Sequence, residues 1–112
     1  MEATVNPQAA PFERHSESIV RSAIGNWRLI GFTYKGSPRV VEAHTFGILR
    51  NGRSAVCGYE VGSGARRRGS GGWKTFYLSD MRGIVELEKT FDKPRPGYRK
   101  GDRGFTTVLC EL

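Results

Sequence analysis

The sequence predicts a mainly β domain: a small, strongly bent antiparallel barrel of five strands with one N-terminal helix. Three observations carry this. Only residues 16–26 show apolar residues at helical spacing. From Arg28 onward the apolar period drops to two, and turn signals separate the successive extended runs. Strands joined mostly by tight turns lack the crossover helices of a parallel sheet, and curling into a barrel is how a small all-β chain disposes of exposed edges.

Each element has its own warrant. Residues 1–15 mix Pro7, Pro11, alanines and charges without periodicity and read as a loose tail. Ser16 can cap a helix through its hydroxyl, Glu17 suits the positive first turn, and Ile19, Val20, Ala23, Ile24 and Trp27 form one apolar stripe. Gly25-Asn26 ends that helix. In the first strand Ile30, Phe32 and Tyr34 alternate with Leu29, Gly31 and Thr33; Trp27 and Phe32 are expected to meet where the helix covers the barrel. Residues 35–38 supply a turn, 39–49 a second strand, and Asn51-Gly52 a hairpin signal. Strands three to five cover 54–61, 73–78 and 83–89. The domain therefore spans 16–98. Residues 99–112 follow as a basic linker whose last part, "FTTVLCEL", offers an extra strand.

At 112 residues the chain is one domain with one modest core. Its formal net charge of +7 favours anionic partners. No apolar run approaches the ~20 residues of a membrane-spanning helix, and the N-terminal residues lack the charged-then-apolar layout of a secretory signal. A cytoplasmic location and no membrane partner are expected, with Cys57 and Cys110 as buried free thiols. Histidines 15 and 44 and these cysteines form no Cys-x-x-Cys or His-x-x-x-His pair, so neither metal nor cofactor is expected. Glycines 62 and 64 open no helix and no Gly-Lys-Ser/Thr follows, which removes a nucleotide-binding loop. No enzyme signature is present: Cys57 sits in an apolar alternation that disfavours a thiolate, and Glu86 and Glu88 share one solvated strand face.

The ordered elements resemble the WYL domain, an Sm-like or SH3-type β-barrel module of bacterial regulators. The resemblance covers roughly 18–98 and rests on Ala23-Ile24 and Phe32-Thr33-Tyr34, Arg39-Val40-Val41-Glu42 followed by Ala43-His44, Lys74-Thr75-Phe76-Tyr77-Leu78, and Phe91 ahead of Pro94. The family's Trp-Tyr-Leu falls at Ser54-Ala55-Val56, and its Asp-Arg-Ile reads Ser79-Asp80-Met81 with Arg82 alongside. The resemblance implies ligand binding in transcription regulation. About 20 residues precede the barrel helix, too few for a helix-turn-helix, so a stand-alone module is expected.

Two groups of candidate binding residues emerge. Arg66, Arg67 and Arg68 stand on a glycine-rich arm between strands three and four; they read either as a phosphate-tracking arm or as a solvated hairpin tip. Arg39, His44 and Lys74, placed by strand order and by the resemblance, can line a basic face, with Tyr59 or Tyr77 as a stacking ring and Arg82 in support. Their other reading is strand-edge solubility for the cations and a hydrogen-bonded, partly buried side chain for His44. The expected function is binding of an anionic ligand, single-stranded nucleic acid or a nucleotide. The alternative is a protein-interaction or oligomerisation module, a homodimer included, that uses a barrel edge strand.

Overall fold

A computed structural model describes residues 11–63, 72–100 and 104–112; the arginines at 66, 67 and 68 lie outside the described residues. Among the described residues the chain is mainly β, with one α-helix and a six-stranded antiparallel sheet. Helix α1 spans Pro11–Asn26, five residues earlier than its periodicity indicated. A first-turn proline gives up no intrahelical hydrogen bond, and Glu13 complements the positive helix end, so the helix begins there. Ser16 is consequently a buried residue inside the helix and not its cap.

The helix ends on a left-handed residue, Trp27, at φ 56°, an uncommon conformation without glycine. Tertiary contacts hold it there: the Trp27 ring lies 5.3 Å from that of Phe91, and the Phe91 N–H donates to the Trp27 carbonyl at 3.0 Å. Trp27 is half-buried and lies outside the core cluster, so it does not meet Phe32 as expected.

Strand β1 (Arg28–Tyr34) turns into β2 (Ser37–Leu49) through Lys35 and Gly36, both at positive φ. Those angles are the signature of the two-residue hairpin whose twist matches its strands. The next hairpin, to β3 (Ser54–Ser63), places only Gly52 at positive φ, while the Asn51 side chain accepts from the Arg53 N–H at 3.0 Å. Strand β4 (Gly72–Tyr77) follows, then a 3-10 turn with buried Leu78, then β5 (Met81–Thr90). Strand β6 (Phe105–Glu111) is present as well.

The strand order is β4-β3-β2-β1-β5, with β6 paired to β2 beyond the point where β1 stops. Gly47 permits that approach, since a Cβ there would run into the Thr107 carbonyl. Among the described residues no ladder joins β4 to β5. The Tyr77 N–H nevertheless donates to the Tyr34 hydroxyl at 3.1 Å, tying β4 back to β1 across the curled sheet. Inside the curl, Phe46, Phe76, Ile30, Leu78 and Met81 pack beneath Val20 and Ile24 of the helix.

Strand β2 breaks the simple alternation, with residues 41–47 buried in sequence. The β2–β3 register shifts between Ala43 and Thr45, so His44 is the extra residue of a bulge. What covers it is the segment 91–98, which crosses the outer face of β2, β3 and β4 as a strap.

Candidate functional site

Arg39 and Lys74 do come together, on a residue that the sequence pattern did not single out. Val56, Gly58 and Glu60 share the core-facing side of β3, and the register Gly58↔Lys74 puts Lys74 diagonal to Glu60 on that side. Glu60 is 1% exposed; its Oε1 accepts from Lys74 Nζ at 2.7 Å and from Arg39 Nη1 at 3.4 Å. The Arg39 guanidinium also stands 5.9 Å from the centroids of both Tyr34 and Phe76, whose negative faces favour a cation. Two positive charges thus meet one negative charge at the mouth of the curled sheet. Glu60 Oε2 and Arg39 Nε are buried without a hydrogen-bond partner.

His44 and Tyr59 belong to a second cluster, beneath the strap. His44 is fully buried and ringed by Trp73 at 4.7 Å, Tyr98 at 5.1 Å and Phe91 at 5.4 Å. Its Nε2 accepts from the Arg95 N–H at 3.1 Å, which leaves the proton on Nδ1, donated to the Glu42 carbonyl at 2.8 Å. The Arg95 side chain grips buried Glu42 with two bonds, Nε to Oε1 at 2.8 Å and Nη2 to Oε2 at 3.2 Å. Its guanidinium covers the Tyr59 ring at 4.4 Å. Trp73 Nε1 donates to the Pro96 carbonyl at 2.8 Å, fastening the strap to β4.

Tyr77 and Arg82 lie at the other end of the β3–β4 pair. Five register steps separate Ala55↔Tyr77 from Glu60↔Gly72, about 17 Å at ~3.4 Å per residue. There Arg53 stacks on the Tyr77 ring at 3.5 Å and donates to Ser79 Oγ at 2.9 Å and to Asp80 at 3.4 Å. Arg82 donates to the Ser79 carbonyl at 2.8 Å.

The nine proposed binding residues therefore divide. Arg39 and Lys74 form one group, His44 and Tyr59 a neighbouring one, Tyr77 and Arg82 a distant one, and Arg66, Arg67 and Arg68 lie outside the described residues. Both candidate stacking rings are already covered by an arginine. Sequence reasoning missed Glu42, Glu60, Trp73, Arg95 and Tyr98. A signal existed only for Glu60, a charge on the same strand parity as Val56. No group of His, Cys, Asp and Glu able to hold a metal occurs among the described residues. Nor, among them, is any helix long and apolar enough to cross a membrane. The chain matches no protein-family model, no curated protein and no solved structure, so the WYL-like reading stands on its sequence signatures alone.

Proposed function

We propose that this chain is a non-catalytic binding module that takes single-stranded nucleic acid along one basic end through phosphate contacts. One observation carries the reading: the strap is fastened to β4 by Trp73, the neighbour of Lys74 in the chain. The strap carries Lys93 and Arg95 and runs on into Arg99 and Lys100, and Trp73 lies one residue into the strand that the Arg66–Arg67–Arg68 segment leads into. Phosphates are favoured over bases as the contacted groups because Tyr59 and Tyr77 already carry arginines on their rings, so stacking a base would first displace a cation. A regulatory role is what the WYL-like signatures add.

The test is fluorescence anisotropy of a labelled single-stranded oligonucleotide at several salt concentrations. Every phosphate that is no longer neutralised by a cation should flatten the log–log salt slope by ~0.7 for a single strand. Replacing Arg66, Arg67 and Arg68 by Ser should lower it by about 2, and Lys93→Ser with Lys100→Ser by about 1.4. Absence of binding at low salt, or unchanged slopes in both variants, overturns the proposal.

A second reading, pairing of an edge strand with another chain, is favoured by β5. It has β1 on one side, no ladder on the other among the described residues, and Val85 51% exposed. A dimer whose dissociation ignores salt would favour it.

A further inference from the structure

We infer that residues 91–98 form a latch, held shut by neutral His44 and released when that imidazole takes up a proton. Among the attachments that keep the latch seated are Phe91 on Trp27, the Arg95 N–H on His44 Nε2, the Arg95 guanidinium on Glu42, and Pro96 on Trp73. The second depends on protonation state by its geometry. Nε2 can accept the Arg95 N–H only through its lone pair, and a proton placed there would face another N–H. His44 cannot turn to escape, because Nδ1 is bound to the Glu42 carbonyl and three aromatic rings enclose it. The imidazolium would also be fully buried, so the charged form is accommodated by opening the strap to water.

The carboxylate two residues from His44 is already committed to another cation. Glu42 on β2 has both carboxylate oxygens bound by Arg95, itself a cation on the strap. Tyr98, the other titratable strap residue at the ring, stays neutral here because burial pushes its hydroxyl above the ordinary value of 10.0. On β3, Tyr59 carries Arg95 on its face, and Cys57, opposite Thr45, is a buried thiol. On β4, Trp73 is uncharged and Lys74 is paired with Glu60. On β6, Glu111 is registered opposite Thr45, the residue after His44. The remaining strap charges, Asp92 and Lys93, are exposed.

The consequence for binding, which rests on the proposed function, runs against simple charge counting. Protonating a histidine adds positive charge and by itself strengthens polyanion binding. Releasing the latch instead frees from β4 the segment that carries Lys93 and leads into Arg99 and Lys100, so affinity should fall between pH 7.5 and pH 5.

The chain supplies its own reporters, since both of its tryptophans touch the strap. Tryptophan fluorescence should show a transition below about pH 6.5, the ordinary imidazole midpoint. The transition should persist in His15→Gln, the variant of the only other histidine, and vanish in His44→Gln, which keeps an acceptor that does not titrate in this range. If His44→Gln does not fold, exchange protection of the Arg95 amide in the parent decides. It should fall by up to ~30-fold from pH 7.5 to pH 5 after correction for the intrinsic rate, as expected for one linked proton. A transition retained in His44→Gln, or flat fluorescence with unchanged Arg95 protection, overturns the latch. An oligonucleotide that binds at no pH would refute the proposed function while the fluorescence and exchange results still judge the latch.

Discussion

The Glu60 cluster makes a prediction whose ordering matters more than any single value. Glu60 is 1% exposed, whereas the side chains it pairs with are 19% exposed for Arg39 and 33% for Lys74. Removing the carboxylate and removing the cations are therefore unequal operations. In Glu60→Gln the two cations can turn toward water, and the loss is mainly the 2.7 Å charge-assisted bond from Lys74, since the 3.4 Å approach of Arg39 is at the limit of a hydrogen bond. That comes to about 1.5–3 kcal/mol. In Arg39→Met with Lys74→Met the stems remain, and the carboxylate is left buried with no partner at about 3–5 kcal/mol. Replacing all three residues by Met removes the stranded charge as well and should recover most of that loss. Urea unfolding followed by far-ultraviolet circular dichroism, with midpoints compared at constant slope, measures all three. A double variant more stable than Glu60→Gln, or a triple variant no better than the double, would refute the idea that the burial of Glu60 dominates this cluster.

Phe32, 5% exposed and edge-on to Phe76 at 5.0 Å, should cost roughly 3–5 kcal/mol on truncation to Ala; a melting temperature within a degree or two of the parent would dismiss its core role. Two glycines should respond in opposite directions to Ala. At Gly58 a Cβ would sit 2.5 Å from the Glu42 carbonyl oxygen and 2.6 Å from Val41 Cγ1, so Gly58→Ala must displace backbone beside the bulge and should destabilise by more than ~1 kcal/mol. At Gly25, inside the helix with nothing within 4 Å, Ala should stabilise by about 0.5–1 kcal/mol. Chemical denaturation of the two single variants checks both signs.

The elements legible in the sequence were those whose cause is local. Alternation of Ile30, Phe32 and Tyr34 reports a strand with one buried face, because successive side chains leave the backbone on opposite sides. Lys35-Gly36 and Asn51-Gly52 mark hairpins because glycine bears positive φ without steric cost. The helical stripe of Val20, Ala23 and Ile24 needs no distant partner to be recognised. By the same logic, local periodicity said nothing of the helix's first turn, where Pro11 interrupts the pattern without interrupting the backbone.

What only the tertiary structure decided is how charges and edges are matched across long separations. Arg95 binds Glu42 at a separation of 53 residues, and the Arg95 N–H meets His44 at 51. Neither bond has a signature within one turn or strand, because both depend on a bulge that turns His44 outward and on the strap's path over it. The same holds for β6, which pairs with β2 only because β1 ends and leaves that edge open. Composition and local pattern set the surplus of positive charge, the helix and most of the strands. The register of the curled sheet decided which of those charges are consumed in internal pairs, since ion pairing and burial follow distance in space and not position along the chain.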